Sequence, residues 1–270
     1  MTGQSREAAQ QLEARLEDYL ARAARGSVAV SRFLTPREKK LTERLLQARG
    51  VREQALFWGG YVGAERECLY VVPDFYLDLP DLMPAEGSDP AEALPDVDSV
   101  AAIRVKGSGF RTLSHRDYLG SLLGLGLEKD AVGDIAVQND HEAVIFCARA
   151  IVRFLLESLQ KVSTDSVTCR EYTLDDGFTD GRHYKPISDT VASARLDCVV
   201  AALTNLSRES AQNAVRAGLV EVDFEAEERT DRILTPPATV SIRGHGRFIL
   251  RSFDGETRKG RLRLRADQLV

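Results

Sequence analysis

Two stretches of this chain have too little apolar surface to bury, and they limit what it can fold into. Residues 78–97 place Pro80, Pro84, Pro90 and Pro95 among Asp and Glu, and residues 173–190 read TLDDGFTDGRHYKPISDT. Proline breaks helix interiors and sheet ladders, and polar, glycine-bearing stretches read as loops. No segment between these breaks exceeds about 80 residues, a length that supports a small core rather than a large sheet or barrel. The 270 residues therefore divide into a small α/β unit (1–75), a linker or surface loop (76–97), a second domain (98–172), a linker (173–190) and a tail module (191–270). The expected fold class is α+β.

Periodicity supplies the elements. Leu12, Leu16 and Leu20 recur at helical spacing within residues 5–24. Thr35, Pro36 and Glu38 form a capping-box pattern ahead of Leu41, Leu45 and Leu46, and Gly50 ends that helix. Residues 55–61 and 67–72 are apolar, with aromatic and β-branched side chains, and predict a hairpin. From residue 98 the order is strand 99–105, helix 114–125, strands 134–138 and 143–147 around Asn139-Asp140, helix 148–159 and strand 166–171. This βαββαβ order predicts a ferredoxin-like, RRM-like sandwich. An RRM stacks bases on aromatic residues of its central strands. Here the third strand, AVIFC, has one aromatic residue and the first has none. Its open face either binds RNA or packs on another domain.

The tail begins with two short helices, 194–204 and 208–217, separated by Asn205-Leu206 and capped by Ser207; Gly218 ends the second. Strands follow at Val220–Val222, Thr239–Ile242 and Arg247–Arg251. Net charge is −5 for the chain, yet residues 191–270 hold 13 Arg/Lys against 11 Asp/Glu. Between 243 and 265 eight basic residues face only Asp254 and Glu256. Such a stripe binds phosphates even on an acidic protein, because screening limits the reach of distant charge to about 8 Å. Arg243-Gly244-His245-Gly246-Arg247 offers backbone N–H groups and two cations to a phosphate, or is a tight glycine turn.

Several chemistries find no support in these residues. Cys68, Cys147, Cys169 and Cys198 form no C-x-x-C pair and read as buried, reduced thiols. His115, His141, His183 and His245 show no zinc spacing, so no metal or cofactor is expected. Ser114-His115-Arg116-Asp117 is consecutive at a helix start and cannot converge as a triad; His115 and Arg116 there are better placed for an RNA anion. No apolar run reaches membrane-spanning length, and the first twenty residues lack an apolar signal-peptide centre, so the expected location is the cytoplasm.

The tail resembles the S4 RNA-binding domain. The matching residues are Arg195-Leu196-Asp197, Leu206-Ser207-Arg208, Ala211 and Gly218-Leu219-Val220-Glu221-Val222. Where that family usually has Asn after V-x-V, this chain has Asp223, whose charge would repel phosphate. With FLTPRE, LSHRDYLGSLLGLGLEKDAVGDI and SIRGHGRF, most of the chain is similar to the bacterial YlmH-like family. The resemblance implies an RNA-recognising face on Arg195, Ser207, Arg208, Gln212 and Arg216, joined by Arg243, Arg247 and Arg251 and by His115 and Arg116. It implies a non-catalytic factor that binds ribosomal RNA and tRNA on the large ribosomal subunit and rescues stalled complexes carrying peptidyl-tRNA, with no small-molecule substrate. A link to cell division implies a possible further partner.

Arg195-Leu196-Asp197 also resembles the R-L-D of pseudouridine synthases, but their motif continues Thr-Ser-Gly, whereas this chain continues Cys198-Val199-Val200. The alternatives are thus an RNA-modifying enzyme of that type, or a protein-interaction module in which the basic tail meets an acidic partner. The RNA reading predicts that replacing Arg195 and Arg208 by Ala weakens binding and leaves the fold intact.

Overall fold

The computed structural model describes residues 3–79, 83–85, 87–94, 97 and 100–270. The expected loop at 78–97 lies partly outside them. The chain forms two compact units, residues 1–181 and 182–270. Both are mixed α and β, and every paired strand is antiparallel.

The first unit opens with helix α1 (Gly3–Ala23), strand β1 (Ala29–Leu34) and helix α2 (Pro36–Ala48). The capping box is present: Thr35 Oγ1 accepts from the Glu38 amide at 3.3 Å, and the Glu38 carboxylate accepts from the Thr35 amide at 2.8 Å. Strands β2 (Ala55–Trp58) and β3 (Glu67–Val71) complete a sheet of order β1-β3-β2. Strand β1 was not anticipated, and β2 stops short of the expected residue 61. The helices bury Leu12, Leu16 and Leu46 against Leu69 and Val71 on one face of this sheet. Alternation turns Phe33, Trp58, Cys68 and Tyr70 to the other.

Next come β4 (Val100–Gly107), α3 (His115–Gly124), β5 (Val132–Asn139), β6 (Glu142–Ala148), α4 (Val152–Ser158), β7 (Lys161–Val162) and β8 (Asp165–Tyr172). The sheet order is β5-β6-β4-β8-β7. Ala101, Ile103 and Val105 of central β4 face helices α3 and α4, where they meet Tyr118, Leu122 and Leu155. Val100 and Ala102 face the other way, with Val144, Phe146 and Tyr172.

That second face is not open. Phe33, Trp58, Tyr61 and Tyr70 of the N-terminal layer pack onto it, so the unit stacks helices, sheet, sheet and helices. The Tyr61 ring lies 4.8 Å from Phe146. Gly60 has φ +100°, and a Cβ there would collide with the Phe146 ring. Asp134 on β5 accepts from the Tyr61 hydroxyl at 2.7 Å and from the Glu65 and Arg66 amides at 2.8 and 3.1 Å, fixing the loop that carries Tyr61.

The expected linker at 173–190 is a correction. Its first part folds back: Phe178 packs edge-on to Tyr61 and Phe146, and Gln138 exchanges hydrogen bonds with Thr179 at 2.7 and 3.1 Å. Its second part is strand β9 (Tyr184–Val191) of the second unit.

The second unit continues with α5 (Leu196–Thr204), α6 (Arg208–Arg216), β10 (Val220–Val222), β11 (Glu225–Ala226), β12 (Ala238–Ile242), β13 (Gly246–Glu256) and β14 (Leu262–Leu269). Its sheet has the order β11-β10-β12-β13-β14-β9. Asn205, at φ +56°, ends α5, and Gly218, at φ +66°, follows α6. Leu196, Val199, Val200, Ala211 and Val215 pack on the inward residues Val220, Val240, Phe248, Leu250 and Leu264. Both helices therefore lie on one face of the sheet.

Candidate nucleic-acid interface

The expected contact residues of the second unit fall into two groups on opposite faces of its sheet. The first group surrounds α5 and α6. Asp197 sits in the first turn of α5 and is fully buried. Its carboxylate accepts from Arg195 at 3.1 and 3.2 Å, from Gln212 Nε2 at 2.7 Å, from Arg208 Nε at 3.4 Å and from the Cys198 amide at 3.0 Å. Burial pushes this carboxyl up, but the hydrogen bonds from Arg195 and Gln212 and the two guanidinium charges outweigh it and hold it well below the usual carboxylate range.

Arg195, Arg208 and Gln212 are thus brought together as the partners of one buried acid. The Arg195 and Arg208 side chains remain 34% and 56% exposed, so each keeps a guanidinium edge for a ligand. Replacing both by Ala would strand the buried Asp197 charge, so that substitution is expected to destabilise the second unit as well as any RNA contact. Ser207 caps α6 through the Ser210 amide at 3.1 Å, and Arg216 is exposed in the last turn. A comparable anchor lies nearby in the chain. Buried Glu227 accepts from the Arg229 amide at 3.0 Å and from Arg232 at 2.8 Å, and its carboxyl is lowered to about 2, burial being outweighed by these bonds. Sequence reading missed both acids as organising centres; the one visible signal was a lone Asp among apolar residues in Leu196-Asp197-Cys198-Val199.

The second group lies on the sheet. Arg243 precedes a glycine turn, with Gly244 at φ +84° and Gly246 at φ +105°. The Arg243 amide donates to Leu219 O and the His245 amide to Ile242 O, both at 2.9 Å, so these N–H groups serve the fold rather than a ligand. The Arg243 side chain is exposed. Arg247 lies over the Phe224 ring at 5.3 Å, and Arg251 donates to Asp267 at 2.7 Å. Asp223, at φ +50°, accepts from the Thr239 amide at 2.9 Å, a turn role that accounts for an acid there.

His115 and Arg116 belong to the first unit, exposed at the start of α3. Asp117 already occupies that helix start: it accepts from the Ser114 amide at 2.9 Å and is lowered chiefly by the Ser114 hydroxyl. Ser114 and Asp117 are therefore capping partners. The sheet face on which an RRM would stack bases is covered here, since Phe146 and Tyr172 are buried beneath the N-terminal layer. Beyond it the face is polar, an opening of about 370 Å³ lined by Arg104, Lys106, Glu142, Thr168, Cys169 and Arg170.

Cys68 and Cys147 are buried thiols pushed up to about 12 by desolvation. Among the described residues no group of three His, Cys, Asp or Glu side chains is placed to hold a metal ion, and no helix is long and apolar enough to cross a membrane.

Fold and surfaces together define a class: α+β proteins of small antiparallel sheets backed by helices, here with solvent-accessible arginines Arg195, Arg208, Arg229 and Arg232 held by the buried acids Asp197 and Glu227. Residues 99–176 match the family model described as "Putative RNA-binding domain in YlmH". The chain is 30% identical over 233 residues to the ribosome-associated protein quality control protein P2 of Bacillus subtilis, covering 86% of this chain and 84% of that one. It belongs to the YlmH-like family. A solved structure, the cell division protein ylmH from Streptococcus pneumoniae, matches at 16% identity and a TM-score of 0.45, over 64% of this chain and 93% of that one.

Proposed function

We propose that this protein is a non-catalytic RNA-binding factor that works on the large ribosomal subunit in the quality control of stalled translation, with ribosomal RNA and peptidyl-tRNA as ligands. The observation that carries the reading is the extended identity to a relative named for ribosome-associated quality control. On this reading the βαββαβ sheet of the first unit is an RRM-like domain and α5, α6 and β10–β12 are an S4-type module. The protein acts in the cytoplasm, where ribosomes are.

The geometry supports a binder over an enzyme. An acid that attacks or protonates a base must reach it. Asp197, the acid of the Arg195-Leu196-Asp197 match, is enclosed by Arg195, Arg208 and Gln212. Its place is that of a clamp which fixes two arginines at a set spacing.

The test is co-sedimentation of the full chain with purified large subunits through a sucrose gradient at low and high salt. Wild type is expected to travel with the subunit at low salt and to leave it as salt rises. Arg216→Gln/Arg243→Gln, at exposed positions outside the Asp197 cluster, is expected to weaken association without altering the circular-dichroism spectrum. A wild-type protein that stays at the top of the gradient at every salt concentration would sink the proposal.

A further inference from the structure

The sheet of the second unit carries its helices on one side only. The outward side of β13 and β14 follows from alternation. Phe248, Leu250, Leu264 and Ala266 point into the core, so Arg247, Arg251, Arg263 and Arg265 point out. The two strands join through Thr257–Gly260, a turn closed by the Thr257 amide donating to Arg261 O at 2.8 Å. Arg258 and Lys259 stand exposed on it. The Arg261 guanidinium donates to Thr190 Oγ1 at 3.0 Å on β9, the strand alongside. Thr190 and Ser188 lie directly opposite Arg263 and Arg265.

Carboxylates take up only part of this charge. Asp267 holds Arg251, and Asp254 holds Arg265. Arg261 leans on a neutral hydroxyl and keeps its charge. Arg258, Lys259 and Arg263 have no carboxylate partner among the described residues. The helix side is the reverse: Asp197 takes Arg195 and Arg208, and Glu227 takes Arg229 and Arg232. A cluster of uncompensated positive charge therefore lies on the strand side. Cations at alternate positions of one strand are spaced by about 6.8 Å, and a sheet holds them with little entropy left to lose. Hydroxyls between them add neutral donors. The rings beside this face, Tyr184 at the far end of β9 and Phe224, each already carry a guanidinium, Arg251 at 5.7 Å and Arg247 at 5.3 Å, so the surface suits phosphates better than stacked bases.

We propose that the outer face of β13, β14 and β9 is a second RNA surface, across the sheet from α5 and α6, which grips phosphate backbone without reading bases. It rests on the RNA-binding reading above and adds a separate site to it. One unit then holds RNA on both sides of its sheet.

The test uses the full chain and a fluorescein-labelled RNA duplex of roughly 20 base pairs, followed by anisotropy from about 50 to 200 mM KCl. The strand set is Arg258→Gln/Lys259→Gln/Arg263→Gln, and the helix-side set is Arg216→Gln alone, in the last turn of α6. With each phosphate contact contributing about 0.7–0.9 to the slope of log affinity against log salt, the strand set should lower that slope by roughly 2 and the affinity by at least about tenfold at 100 mM. The two sets should add when combined. A folded strand-set variant with wild-type slope and affinity overturns the second surface, and if the helix-side set still weakens binding, the RNA reading survives. No duplex binding by wild type overturns both. An A·U-only and a G·C-only duplex should bind the strand side alike; a tenfold preference that the strand set removes would overturn backbone-only recognition.

Discussion

At the scale of single residues, Asp197 joins the start of α5 to α6 through Arg195, Arg208 and Gln212. A buried carboxylate that satisfies two arginines and a glutamine is costly to disturb, because losing one partner leaves the other charges unmatched. Asp197→Asn is expected to destabilise the second unit by about 3–5 kcal/mol, read by urea unfolding near pH 7. The sign of its pH dependence is fixed by the depressed carboxyl. Its contribution is complete above the unfolded value of about 3.9 and is lost as pH falls through the lower folded value. The gap between wild type and Asp197→Asn should therefore narrow toward about pH 3; a gap that stays constant would remove this role. The arginines around it were legible from their resemblance to a known module. Their anchor was not, because one Asp in an apolar helix looks the same in sequence whether it caps, clamps or reacts. Asp223 is the converse case: read as a phosphate-repelling departure, it holds a backbone amide at a left-handed turn.

At the scale of elements, helices with caps were the most legible. Thr35 with Glu38 and Ser114 with Asp117 place their side chains as the pattern predicts, because a capping box is local chemistry. Strand β9 was invisible for a physical reason. It is an edge strand with most of its side chains exposed, and Pro186 is tolerated because an edge needs hydrogen bonds on one side only. The Leu-Arg alternation of RLRLRADQL is the period-two pattern of β14, though three arginines in five residues read equally as a solvated basic segment. The layering of the first unit was also unreadable, since periodicity reports that a face is buried and not what buries it. Gly60 tests that layering. Gly60→Ala would force a Cβ into the Phe146 ring at a positive φ, and is expected to cost roughly 2–5 kcal/mol. A lowered melting temperature with altered near-ultraviolet dichroism would report it. An unchanged melting curve would mean that the loop carrying Tyr61 does not hold the layers together.

For the molecule as a whole, two units with separate cores predict separable folding. A fragment of residues 182–270 should fold alone, whereas one beginning at residue 192, past the sequence-drawn boundary, should not. The shorter piece discards β9, uncovers β14 along its length and loses buried Val191. Dispersed amide resonances in the longer fragment and collapsed ones in the shorter are the expected pair; a well-folded shorter fragment would contradict the six-stranded sheet. The layered first unit also determines what light can report. Trp58 is the single tryptophan of the chain, and it lies buried where the two sheets of that unit meet. Its emission should shift to the red as those sheets part and stay silent while the second unit melts. The protein thus carries a built-in optical probe for one half of itself, and any difference between that signal and far-ultraviolet dichroism measures the other half.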